Sequence, residues 1–286
     1  VTEALRAAVS HAVGSAVVEL RPVAGGDINR AFRAALDDGR DVFVKHREGM
    51  AAAYRAEAEG LAWLADARAL RTPKVVATAD GEPAFLALEW IERGTPAADH
   101  DEQLGRGLAQ LHRAGAPSFG HPADNWIATL PQSNRPNPTW PDFYANHRLW
   151  PLARQAVESQ LLPEETLIRL ESLATRLPEL CGPPEPPARL HGDLWGGNAI
   201  TGPQGEPVLI DPAVYGGHRE MDLAMMRLFG GFNSRVFDAY NEIWPLQPGH
   251  KDRVRLFQLY PLLVHVLLLG GSYAVQLMTA LRHYAS

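Results

Sequence analysis

The sequence predicts an α+β fold in two lobes, a small lobe with a mixed antiparallel sheet plus helix followed by a large, mostly helical lobe. Three observations predict it. Residues 1–91 hold several short β-rich runs around one strong helical run. After "ERGTP" helical periodicity dominates to the end of the chain. Only short strand pairs, near Arg189–His191 and Ala199–Ile210, interrupt those helices. This order suggests two lobes, residues 1–91 and 92–286, with a cleft between them.

Each element has a local reason. Residues 2–13 place Leu5, Ala8, Val9 and Ala12 on one helical face. A strand begins with Val17, Val18, Leu20 and Val23, a second runs from Ala31 to Leu36, and a third from Val42 to His46. "DDG" joins the last two as a hairpin turn. "MAAAYRAEAEGLAWLADARAL" is a helix by propensity and period, and "KVVATADGEPAFLALEWI" gives two more strands about a Gly turn. Helical patterns then cover residues 99–114, 139–157, 163–180 and 220 to the end, with the polar, proline-rich "PQSNRPNPTWP" as a long loop. The most apolar run, "LFQLYPLLVHVLLLGGSYAV", is broken by Pro261, His265, Gly270 and Gly271, which predicts a buried helix, a turn and a last helix rather than a membrane span.

Bulk properties narrow the class. The chain has 286 residues, 46% of them hydrophobic, and a net charge of −6, so it can bury a large core and lacks a basic footprint for nucleic acid. One cysteine, Cys181, rules out an internal disulfide and fits a reducing compartment. The first twenty residues do not read as a signal peptide, and a cytoplasmic location is expected. The histidines show no zinc-type spacing.

The chemistry concentrates in "LHGDLWGGNAI" and "VLIDPAVYGGHREMDLAM". Asp193 and Asn198 have the Asp-x-x-x-x-Asn spacing of a kinase catalytic loop, and Asp211 follows a short apolar strand. Phosphoryl transfer from ATP needs a carboxylate near the attacking hydroxyl and hard oxygen ligands for magnesium, which this set supplies. Singly, each residue reads better as a helix cap or an Asx turn; the ordered set points to chemistry. His191 reads as a residue that orients the loop by hydrogen bonding. Lys45, on an alternating strand, is placed to reach phosphate oxygens. Glu57, Leu61 and Leu64 share one helical face, so Glu57 is the partner expected for Lys45, with Glu59 pointing away. Gly25 and Gly26 in "AGGDINRAF" let backbone amides approach phosphates, or form an ordinary hairpin turn. Glu89, Trp90 and Ile91 end the last strand of the first lobe, where the backbone can pair with an adenine edge.

Together "LHGDLWGGNA", "LIDPAVYGGHREMDLAMMRLFGGF", "YPLLVH" and "GGDINRAF" resemble the fructosamine (ketosamine) kinase family, over roughly residues 20–275. "DNWIATLPQSN" and "FYANHRL" resemble a family segment that lines the second lobe. That family shares its fold with protein kinases and aminoglycoside phosphotransferases. The resemblance implies an ATP- and Mg2+-dependent phosphotransferase acting on a small-molecule ketosamine or glycated amine at the hydroxyl of its third sugar carbon, a deglycation role. It assigns Asp193 as catalytic base and Asn198 and Asp211 as magnesium ligands. Lys45 and Glu57 match its phosphate-holding pair, and Gly25, Gly26 and Asn29 its phosphate loop. Trp195, His218 and Arg219 are candidates for the sugar side; Trp195 suits a core equally, and Arg219 an ion pair with Asp222.

The sequence departs from the pattern in three places. Asp211 is followed by Pro-Ala rather than Phe-Gly, Arg55 stands where an acid is frequent, and Ala128 where a glycine is expected. The alternatives are an aminoglycoside or other sugar or amino-alcohol kinase of the same fold, and a catalytically inactive nucleotide-binding module. The presence of Lys45, Asp193, Asn198 and Asp211 argues against the last.

Overall fold

The computed structural model describes residues 2–23 and 30–284. They fall into two compact units, Val1–His100 with Asn198–Ala213, and Asp101–Gly197 with Val214–Ser286.

The first unit contains α1 (Thr2–Val13), β1 (Val17–Pro22), β2 (Arg30–Leu36), β3 (Asp41–His46), α2 (Ala51–Asp66), β4 (Val75–Ala79) and β5 (Phe85–Glu89). The sheet order is β1-β2-β3-β5-β4 and every neighbouring pair is antiparallel. The β2–β3 hairpin turns at Gly39, whose φ of +85° is costly for other residues, and Leu36 N–H closes it on the Arg40 carbonyl at 2.8 Å. The period of two then divides each strand between two cores. Val42, Val44, Ala34, Leu36, Phe85 and Ala87 face Leu5 and Val9 of α1. Phe43, Leu86 and Leu88 face Tyr54 and Leu61 of α2. Lys45, out of phase with Val44, therefore stands on the α2 side. Leu5 and Val9 are fully buried, so each contributes about 1.5–3 kcal/mol to holding α1 on the sheet.

A hairpin from distant sequence, Ala199–Thr201 paired with Pro207–Leu209, folds with this unit. Leu209 N–H donates to the Arg71 carbonyl at 2.9 Å, Gly94 N–H to Thr201 at 3.2 Å and Ala97 N–H to Gly205 at 3.1 Å. The approach at Gly94 admits no side chain, since a Cβ there would stand 2.2 Å from the Gly202 oxygen. The Arg71 guanidinium binds Glu89 at 2.7 Å and also Glu206 of the hairpin. A chain division at residue 91 leaves this segment with the helices; its hydrogen bonds group Asn198–Ala213 with the sheet.

The second unit is built from helices α3 (His100–Arg113, from its second residue), α4 (Trp140–Phe143), α5 (Trp150–Glu158), α6 (Glu165–Leu180), α7 (Glu220–Phe229), α8 (Ser234–Ile243), α9 (His250–Phe257), α10 (Leu259–Leu269) and α11 (Ser272–Tyr284). Short antiparallel pairs join Asn125–Ile127 to Leu130–Gln132, and Ala188–Leu190 to Tyr215–Gly217. The helix expected over 139–157 contains a π-helical stretch, Tyr144–Leu149, between α4 and α5. Pro151 explains it: having no N–H, it leaves the His147 carbonyl without its helical donor, and Arg148 Nη1 supplies one at 3.0 Å. The apolar run near the C-terminus forms buried α10, turns at Gly270 and Gly271 (φ +64° and +61°), and continues as α11. Among the described residues no helix is long and apolar enough to cross a membrane.

Candidate active site

In the first unit the strand period and the helix period meet at Lys45. Its Nζ lies 2.7 Å from Glu57 Oε1 on α2 and 2.6 Å from Asp211 Oδ1. The side chains of Lys45, Glu57 and Asp211 are 7%, 16% and 44% exposed. Glu59 is exposed, as its helical phase predicts. Burial alone depresses an ammonium; the Glu57 and Asp211 carboxylates outweigh it and hold the Lys45 pKa above its ordinary value. Two carboxylates share one ammonium: burial raises the Glu57 carboxyl, Lys45 opposes that rise and Asp211 adds to it.

The docked hairpin delivers Asp211. Asn198 precedes its first strand and Asp211 follows its second, and Ile210 N–H donates to the Asn198 carbonyl at 3.0 Å. Asn198 Nδ2 reaches the Asp211 carbonyl at 3.5 Å, so the two side chains start from adjoining backbone. Asp211 has φ +55°, a left-handed conformation that aspartate tolerates better than most residues and that concentrates at functional positions. This donor set fits magnesium, which takes hard oxygens from one or two protein groups and the rest from phosphate and water. Lys45 fits a phosphate oxygen.

At the end of β5, the Glu89 carboxylate binds Arg71 and accepts from Lys74 N–H at 3.1 Å, so it is committed to the fold. The Trp90 ring donates to Glu92 at 2.9 Å, with the Arg33 guanidinium 4.8 Å above it and Phe43 6.4 Å away. Trp90 and Ile91 follow the last residue of β5, Glu89, which is in register with Val42 of β3. Gly25, Gly26 and Asn29 lie outside the described residues.

In the second unit, Ala188–Leu190 runs into the His191–Gly192–Asp193 turn. Asp222, near the start of α7, accepts from His191 N–H at 2.8 Å and Gly192 N–H at 2.9 Å. His112 of α3 contacts the same carboxylate at 3.1 Å and Tyr240 of α8 at 2.9 Å. Burial pushes the Asp222 carboxyl up. The His112 hydrogen bond and charge, His191 and the Gly192 N–H outweigh that push and leave it below the usual carboxylate range. Gly192 has φ +84°, and Asp193 N–H reaches His191 Nδ1 at 3.3 Å, so the buried histidine orients the turn. Asp193 itself is half-buried. Trp195 is 44% exposed, which answers whether it belongs to a core, and its ring covers Gly197 so closely that a Cβ there would stand 2.2 Å from it.

His218 and Arg219, expected on the sugar side, are both buried and held by partners within the fold. Arg219 is 1% exposed and forks onto Glu185 at 2.7 and 2.6 Å, with Trp244 stacked 4.1 Å away; Glu185, not Asp222, is its carboxylate partner. His218 is 4% exposed and packs on Phe257. Burial, helped by Arg253 and Arg219, drives its pKa down to about 3, so it is neutral at pH 7. The sequence pattern offered Asp222 only as a partner for Arg219 at a helix start, and it passed over His112, whose signal was limited to "QLHRAG".

Comparison with known proteins bears on the family and the fold. The profile of the fructosamine kinase family matches residues 1–286. A probable ketoamine kinase of Synechocystis is 37% identical over 265 residues, covering 91% of this chain and 88% of its own. The crystal structure of a Thermobifida fusca protein provisionally assigned as a fructosamine-3-kinase is 40% identical, superposes with a TM-score of 0.88 and covers 97% of both chains. A choline kinase from Streptococcus pneumoniae, 16% identical over 99% of this chain and 98% of its own, has a TM-score of 0.67, a likeness of fold alone. The fold is thus α+β and protein-kinase-like, and the chain belongs to the fructosamine kinase family.

Proposed function

We propose that this chain transfers the terminal phosphate of ATP to a sugar hydroxyl of a ketosamine, a fructosamine or ribulosamine adduct, as a step of deglycation in the cytoplasm. The observation that carries the reading is the Lys45 ammonium held between Glu57 and Asp211, with Asn198 adjoining Asp211. Lys45, fixed by Glu57, binds phosphate oxygens, and residues 1–91 hold the nucleotide. The peptide edge of Trp90 and Ile91, next to Glu89, takes the adenine. Gly25, Gly26 and Asn29 contribute backbone amides to the phosphates. Asn198 and Asp211 are the protein ligands of magnesium, which neutralises charge on the transferring phosphoryl group when bound. Asp193 orients the acceptor hydroxyl and accepts its proton late, in a loose transition state. Trp195 offers an exposed aromatic face to the sugar.

An ADP-release assay with fructosyl-lysine, ribulosyl-lysine, free sugars and aminoglycosides tests this. The two ketosamines should lead, and Asp193→Asn should abolish turnover while MgATP still binds by calorimetry. Response to aminoglycosides alone would overturn the acceptor, and near-normal turnover of Asp193→Asn the base.

A further inference from the structure

Arg148 is completely buried, yet its partners are neutral. Nη1 donates to the Ser133 carbonyl at 2.7 Å and to His147 at 3.0 Å, and Nη2 donates to Asn134 Oδ1 at 2.6 Å. Its Nε has no hydrogen-bond partner among the described residues. The rings of Tyr215 and Phe143 lie 3.9 and 4.6 Å from its Cζ. A buried guanidinium without a counter-ion carries a desolvation cost of several kcal/mol, and an apolar side chain of similar volume is commonly the more stable choice. Packing alone therefore does not account for an arginine here.

Its bonds close a circuit. Arg148 binds Asn134, Asn134 Nδ2 donates to Asn125 Oδ1 at 2.8 Å, and Asn125 Nδ2 donates to the Val214 carbonyl at 2.8 Å. The next residue is Tyr215, whose ring returns to Arg148. Gln132 Nε2 adds a bond to Asn125 Oδ1 at 2.7 Å, and Tyr260 donates to Gln132. Tyr215 in turn pairs with Leu190, the residue before His191 and two before Gly192. The circuit therefore grips the strand that lies against the root of the catalytic turn. Electrostatics agrees with that proximity: burial raises the Tyr260 phenol, Arg148 opposes the rise, and Asp193 adds to it.

We propose that Arg148 is a positioning residue for phosphotransfer. Its fork and flat face lock Tyr215–Gly217, and through the paired Ala188–Leu190 strand they fix Asp193. Lysine offers a point charge without fork or plane and does not replace it. The inference rests on the reading of Asp193 as base.

The test compares Arg148→Met, Arg148→Lys and Tyr215→Leu in steady-state kinetics with fructosyl-lysine, alongside MgATP calorimetry and thermal melting. Each variant should lower kcat by about ten- to a hundredfold, the scale of a small misplacement of a reacting group. KM for ATP and MgATP affinity should stay within about twofold. Because the residues act as one unit, the double variant Arg148→Met/Tyr215→Leu should lose no more than the worse single one. A folded Arg148→Lys with kcat within about twofold of wild type overturns the proposal, as does a loss shared equally by ATP affinity. If neither Arg148 variant folds, Tyr215→Leu decides, and wild-type kcat there overturns it. Asp193→Asn run beside them separates the two claims. Lost turnover in Asp193→Asn with normal Arg148 variants refutes only the positioning role, whereas retained turnover in Asp193→Asn refutes the base itself.

Discussion

Replacing Asp222 by asparagine removes the charge that holds the His191–Gly192–Asp193 turn. The carboxylate accepts two backbone N–H bonds, from His191 at 2.8 Å and Gly192 at 2.9 Å, and a third contact from His112 at 3.1 Å, at 1% exposure. Hydrogen bonds to a buried charge contribute about 1.5–3 kcal/mol each. The asparagine NH2 faces a donor wherever it points, so at least one bond is lost outright and the others weaken. The expected loss is roughly 3–5 kcal/mol at neutral pH, or about 6–15 °C in Tm for a chain of this size. The pH dependence has a definite sign. The folded-state pKa of Asp222 lies below its unfolded value. Its contribution is therefore present above about pH 4 and is lost as pH falls through the folded pKa. Thermal unfolding of both proteins followed by tryptophan fluorescence from pH 7 to pH 3 measures the gap, which should be widest at neutral pH and narrow in acid. A neutral-pH loss below about 1 kcal/mol, or a gap that widens in acid, would refute the reasoning.

Other expectations follow from single residues. Lys45→Met should weaken MgATP binding by about tenfold or more in calorimetry. It should also cost about 2–3 kcal/mol in urea unfolding, less than the ~3–5 of a fully buried pair because Asp211 is 44% exposed. Since the folded Lys45 pKa is raised, that difference should hold from neutral pH to about 10 and close only above it. Ala128→Gly should raise stability by about 0.5–1 kcal/mol in the same measurement, because Ala128 sits at φ +55°. Cys181 is 4% exposed, and burial pushes its thiol up to about 12, so a thiol reagent should label it only after unfolding; prompt labelling of the native protein would contradict the burial.

The sequence made local order and local chemistry legible. The period of two on β3 and of 3.6 on α2 was enough to pair Lys45 with Glu57. The turn at Gly39 and the breaks at Gly270 and Gly271 follow from glycine at positive φ. Ala128 was visible as a departure, and its left-handed backbone explains why glycine suits the position. What stayed hidden depends on contacts between remote segments. Arg219 pairs with Glu185, which sits in a proline-rich stretch with no periodicity to mark its direction. Asp222 read as an ordinary acid in a first helical turn because His191, Gly192 and His112 come from other elements. The docking of Ala199–Leu209 against Arg71 depends on backbone hydrogen bonds, which leave almost no trace in side-chain pattern. Burial of His218 and Arg219 followed from the packing of α9 and the loop after α8, which a motif next to Gly216 and Gly217 does not reveal.

The most direct measurement of the central claim is phosphorus NMR of a turnover mixture containing the protein, MgATP and a fructosamine labelled with carbon-13 at its third carbon. A new phosphomonoester signal coupled to that carbon should appear, growing with ADP and absent with Asp193→Asn. ATP consumed to give only inorganic phosphate, or an ester that persists undiminished in Asp193→Asn, would contradict it.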